Sequence, residues 1–193
     1  MGREALSGRD NWQRGASITG SKGEKRVAKA LSRFLPDYYN IELKPEKIIV
    51  YEEHDAGIEM DLLVTNTRNN LSLFIEVKTG NRGGNATEER ATKFLSEGIK
   101  KRVRRRHNTP DNPFFMIFGG HTFTGKNGKL ENFIVENKNK KTGKITKTTV
   151  KPKLYREKVQ VQFEGENNYA FLEMNSTNAE EIANQIMNIL ESK

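Results

Sequence analysis

Two acids and a lysine stand inside apolar stretches, where charge is costly unless something offsets it. Asp61 lies in the run Gly57-Ile58-Glu59-Met60-Asp61-Leu62-Leu63-Val64. Glu76 and Lys78, beginning fifteen residues further on, end the run Leu71-Ser72-Leu73-Phe74-Ile75-Glu76-Val77-Lys78. Thr65 to Asn70, between the runs, has the composition of a hairpin loop. Side chains alternate along a strand, so Glu76 and Lys78 share one face while Val77 turns to the core. A hairpin turning near Asn69 returns Asp61 toward the far end of the second strand. Two carboxylates side by side are oxygen ligands for a hard divalent ion such as Mg²⁺. An ammonium beside them suits a phosphate and the water that attacks it. A glutamate and a lysine two apart also describe a solvated strand face. Their place within apolar runs favours a site.

Glu24 opens the first expected helix, from which its carboxylate reaches the same cleft, to bind a second ion or orient a water. Ser21, three residues earlier, equally makes Glu24 half of a capping box, which needs no function. Beyond Lys78 comes Asn81-Arg82-Gly83-Gly84-Asn85-Ala86-Thr87-Glu88-Glu89-Arg90, with Lys93 after it. Glycines let a backbone approach a duplex closely, and Asn, Arg and Glu match base edges. The same composition begins an ordinary helix with acids in its first turn. His54 and His121 have no partners at metal-ligand spacing and read as structural or surface residues.

With 193 residues and a formal net charge of +8, the chain fits one domain that favours a polyanionic partner, nucleic acid ahead of a membrane. Cysteine is absent, which excludes disulfides and cysteine-based zinc sites. No apolar stretch reaches membrane-spanning length, and the N-terminus lacks the apolar core of a signal peptide. A cytoplasmic protein is the expectation. Lys100, Lys101, Arg102, Arg104, Arg105 and Arg106 end a helix in greater number than its dipole calls for. Lysines 138, 140, 141, 144, 147, 151 and 153 populate expected hairpins and suit phosphate contacts.

The elements that position these groups follow from periodicity. Residues 1–22, Gly/Ser-rich and holding Trp12, read as an arm within a single domain spanning 1–193. A helix is expected from Gly23 to Leu35, ended by Pro36, and a short strand at Ile48–Tyr51. After the hairpin come a helix from Glu88 to Arg106 and a buried central strand at Phe114–Phe118. Irregular hairpins follow from Phe123 to Val161, then a strand at Tyr169–Leu172. A last helix begins on a capping box, Thr177 to Glu180, and buries Ile182, Ile186, Ile189 and Leu190. The fold class is α/β, a central mixed sheet flanked by helices.

Asp61 with Glu76-Val77-Lys78 resembles the catalytic pattern of the PD-(D/E)XK nucleases. Met1-Gly2, Leu6-Ser7-Gly8-Arg9, Asn11-Trp12-Gln13 and the segment from Arg82 through Gly84-Asn85-Ala86 and Glu89-Arg90 to Lys93 resemble the MunI/EcoRI-like type II restriction endonucleases. The likeness is strong over residues 1–13 and 57–95 and weak after about residue 120. It implies a restriction-endonuclease-like fold and a homodimer. The implied reaction is Mg²⁺-dependent cleavage of double-stranded DNA at a short palindrome with an AATT centre, leaving 5′-phosphates and a 5′ overhang. By the same resemblance Asp61, Glu76 and the Val77 carbonyl bind the metal, and Lys78 positions the attacking water. Asn85, Ala86, Glu89 and Arg90 read inner bases and Arg82 an outer one, with Gly84, Glu88 and Lys93 in the same DNA-binding segment. Met60 stands where the family usually has proline. Gly83-Gly84 and Thr87-Glu88-Glu89 lengthen the loop, so the reading role falls to Glu88 or Glu89. A second reading keeps the metal site in a structure-specific repair or junction-resolving nuclease. A third is a non-catalytic DNA-binding relative.

Overall fold

Leu73, Ile75 and Val77 bury in one apolar cluster while Phe74, between them, joins another. That is the signature of a strand covered on both faces. The structure, a computed structural model, describes residues 22–46, 48–51, 56–79, 94–139 and 141–192. In chain order the strands are β1 (Tyr39–Leu43), β2 (Ile48–Tyr51), β3 (Ala56–Ile58), β4 (Leu62–Asn66), β5 (Leu71–Lys78), β6 (Phe114–Gly119), β7 (Phe133–Lys138), β8 (Ile145–Val150) and β9 (Tyr169–Leu172). Five form one mixed sheet in the order β1-β4-β5-β6-β9. The pairs β1–β4 and β4–β5 are antiparallel, and β5–β6 and β6–β9 are parallel. Two antiparallel pairs, β2–β3 and β7–β8, stand apart from it.

Helices cover both faces. The first, α1, spans residues 22–31; then come α2 (Glu97–Arg106), the short α3 (His121–Thr124), α4 (Pro152–Gln162) and α5 (Ala179–Glu191). On one face α1 and α5 press Val27, Leu31, Ile182, Ile186 and Leu190 against Leu62, Val64 and Ile75. On the other, Val103, Phe123 and Val159 of α2, α3 and α4 meet Phe74, Phe114, Met116 and Phe118. Every residue of β6 is buried, as expected of an apolar run placed between two parallel neighbours.

Several expected elements change. The run 57–64 is not one strand: Gly57 and Ile58 belong to β3, and the chain leaves that pair and bends at Asp61 before entering β4. The described part of the helix expected from Glu88 is broken at Leu95 and Ser96, so α2 starts only at Glu97. Residues 152–162, expected as hairpin, are helical with Pro152 in the first turn. Only Pro152 and Val159 of α4 are buried, so its apolar stripe is too thin to announce a helix. The capping box of α5 does not form, because the Thr177 hydroxyl donates to Asn175 Oδ1 instead. Among the described residues no helix is long and apolar enough to cross a membrane.

Ile186 seals the centre of α5 against the sheet at 0% exposure. Ile186→Ala should cost about 2–5 kcal/mol, seen as a lower urea midpoint with unchanged slope. A cost under about 0.5 kcal/mol would show that α5 does not close this face.

Candidate active site

The strand register lines up the charged groups. Leu43 pairs with Leu62, and Leu62 with Ile75. Carried one residue further, that register sets Lys44, Asp61 and Glu76 in a row across β1, β4 and β5. The Lys44 N–H bond to the Asp61 carbonyl at 2.9 Å keeps that register, whereas the Asp61 N–H turns to the Ile75 carbonyl at 3.1 Å, one residue short of Glu76, at the bend before β4. Glu76 pairs onward with Met116 of β6, so the row ends against hydrocarbon. Glu76 is 0% exposed, Asp61 8% and Glu24 6%. Carboxylates so deeply placed require partners.

Lysines supply them. The Lys44 ammonium lies 2.6 Å from Asp61 Oδ1 and 3.0 Å from Glu24 Oε1. Asp61 Oδ2 accepts the Val77 N–H at 2.8 Å. The Lys78 ammonium donates to Glu76 Oε1, closing a charge pair on the strand face the two residues share. Burial raises the pKa of Glu24, and the nearby Asp61 charge adds to this, so the opposing pull of Lys44 is outweighed. Burial disfavours the Lys44 charge, but the Asp61 and Glu24 carboxylates outweigh it and lift that pKa.

The structure thus brings Glu24, Asp61, Glu76, Val77 and Lys78 together, although Asp61 stands at the bend before β4 and not within the strand. Glu24 turns its side chain to Lys44, an arrangement the capping reading does not call for. Arg82, Gly84, Asn85, Ala86, Glu88, Glu89, Arg90 and Lys93 lie outside the described residues, as do the arm with Trp12, Ser21, His54 and Lys140. His121 is structural, its Nδ1 2.9 Å from the Gly125 carbonyl. In the basic cluster of α2, Lys100 is buried and pairs with Glu97 at 3.0 Å, while Arg104 donates to the Asp111 carbonyl. Those two are tied into the fold. Sequence reasoning passed over Lys44, because its only signal is a lysine at the end of the Tyr39–Leu43 strand, just before Pro45. Its partners are set by cross-strand register, which no local pattern carries.

Among the described residues no three carboxylate, imidazole or thiol groups converge into a cage for a metal ion. Mg²⁺ does not need one, since it keeps several waters and takes one or two carboxylates together with substrate oxygens. Asp61 and Glu76 fit that donor set, being anionic side chains that already draw cationic partners in the fold.

A mixed sheet covered by helices on both faces, with acids and a lysine at the ends of adjacent strands, is the arrangement of the restriction-endonuclease fold. The family model described as type II restriction enzyme MunI matches residues 1–129. The chain belongs to that family and is a type II site-specific deoxyribonuclease. A crystal structure of MunI restriction endonuclease in complex with cognate DNA matches with a TM-score of 0.56 at 18% identity, covering 96% of this chain and 98% of that one. At that identity the likeness establishes the fold. No curated protein sequence matches the chain.

Gly23, beside Glu24, packs where a side chain cannot fit: a Cβ there would lie 3.0 Å from both Thr79 Cβ and Thr79 Cγ2. Thr79 follows Lys78 directly, so displacing it moves the lysine. Gly23→Ala should lower cleavage on the order of ten- to a hundred-fold, and Thr79→Gly added to it should recover most of that. Full activity in the single variant, or no recovery in the double, would contradict the tight contact.

Proposed function

We propose that this enzyme hydrolyses both strands of a short palindromic DNA site with an AATT centre, using Mg²⁺ and leaving 5′-phosphates and a 5′ overhang. The observation that carries the chemistry is the buried row of Asp61 and Glu76 with the Lys78 ammonium against Glu76. Asp61, Glu76 and the Val77 carbonyl hold the ion, which when bound neutralises charge on the scissile phosphate. Lys78, its side chain only 17% exposed, offers an ammonium whose place is already fixed. It positions the attacking water and faces the negative charge that develops on the phosphorane. Glu24 adds a carboxylate that orients water from the α1 side.

Arg82, Gly84, Asn85, Ala86, Glu88, Glu89, Arg90 and Lys93 make the DNA contacts, with Asn85, Ala86, Arg90 and one of the two glutamates at inner bases and Arg82 at an outer pair. Their chemistry supports this, as does the cognate DNA held by the MunI structure. A palindrome read by a protein calls for two-fold symmetry, which supports a homodimer. We read residues 1–193 as one nuclease domain with an N-terminal arm at 1–22, working in the cytoplasm.

Glu76→Ala and Lys78→Ala should each lower cleavage at least about a hundred-fold while leaving DNA binding in gel-shift assays. Full activity in either variant would sink the assignment. DNA affinity should also fall steeply as salt rises, because phosphate neutralisation releases counterions. A flat response would contradict the phosphate role of the basic clusters.

A further inference from the structure

Lys44 has no role in the reaction as described, yet its ammonium sits on the carboxylate proposed to hold the metal ion. Asp61 Oδ2 already accepts the Val77 N–H, and Lys44 holds Oδ1 at 2.6 Å. We propose that Lys44 is a built-in, displaceable cation that competes with the divalent ion for Asp61 and Glu24. This rests on the divalent-ion reading above.

The clasp is lopsided. Glu24 and Asp61 are buried at 6% and 8% exposure, whereas the Lys44 side chain is 58% exposed. The carboxylates are fixed in the fold, while the Lys44 stem reaches solvent, so the ammonium has a path to water once another cation takes its place on the two acids. Lys78 behaves otherwise, with a side chain only 17% exposed on its own partner Glu76. The backbone points the same way. Lys44 holds a φ of +53°, a left-handed conformation uncommon for a lysine and costly unless its surroundings enforce it. That conformation sets the residue at the end of β1 with its ammonium on the two acids.

Charge balance gives the exchange its direction. Among the described residues, Glu24 and Asp61, when ionised, share the ammonium of Lys44, a set one positive charge short of neutral. A divalent ion in place of Lys44 makes the set neutral. Lys44 therefore keeps the acids from repelling one another until the metal arrives, then leaves the Asp61 oxygen to it.

The test is Mn²⁺ binding to the DNA-free protein by calorimetry, with no cleavage involved. Wild type, Lys44→Met, Lys44→Gly and Lys44→Arg are compared, with Lys29→Met, an exposed lysine of α1, as the control for general charge. Glycine adopts positive φ freely, so Lys44→Gly removes the amine without leaving a strained backbone. Lys44→Met and Lys44→Gly should bind Mn²⁺ roughly five-fold or more tightly than wild type. Without metal, Lys44→Met should melt at a lower temperature and recover more on adding Mn²⁺. Lys44→Arg and Lys29→Met should stay close to wild type. Unchanged or weaker binding in both Lys44→Met and Lys44→Gly, or an equal gain in Lys29→Met, would overturn the proposal. A wild-type protein that binds no Mn²⁺ would instead overturn the divalent-ion reading, and the role of Lys44 with it.

Discussion

Three carboxylates withdrawn from water within one small region are the constraint on which the rest of the structure turns. Glu24, Asp61 and Glu76 come from a helix, the bend before β4 and the strand β5, and all lie below a tenth exposed. An isolated buried carboxylate is expensive enough to be neutralised by protonation or rearrangement. Here the ammoniums of Lys44 and Lys78 meet the acids directly. The site is thus a concentration of negative charge held in readiness for cations, and a nuclease needs just that beside a phosphodiester.

The fold exists in this region to hold such a set still. β5 is covered on both faces, so its alternation is locked: Ile75 and Val77 are committed to one core and Glu76 to the opposite face. A slip of one residue would exchange them and bury the acid in the wrong layer. The helix α1 is pressed so closely on Thr79 that Gly23 has no room for a side chain, which fixes Glu24 relative to Lys78. Backbone contact at the sheet edge, from β1 to Asp61 and from Asp61 to β5, completes the frame.

Much of this was legible in the sequence for a physical reason. Charges inside apolar strands stand out because they are costly, so Asp61, Glu76 and Lys78 identify themselves. The Phe114–Phe118 run and the stripe of Ile182, Ile186 and Leu190 likewise announce elements buried by their periodicity. What escaped was set by tertiary contact. Lys44 depends on register between β1 and β4. The helix α4 buries too little to show a stripe, and its valines suit strands as well as helices. Thr177 has the spacing of a capping box, but Asn175 lies closer to its hydroxyl. Asp61 falls at a bend because the preceding residues pair in a different sheet, a choice no alternation pattern reveals.

The most direct measurement is to map the fragment ends left on DNA of known sequence after digestion with Mg²⁺. The account requires every cut to fall at one recurring palindrome, with a phosphate on each 5′ end, and no cutting when the ion is chelated. Scattered ends, or cutting that persists in chelator, would mean that the buried acids and lysine are not the centre of this enzyme's chemistry.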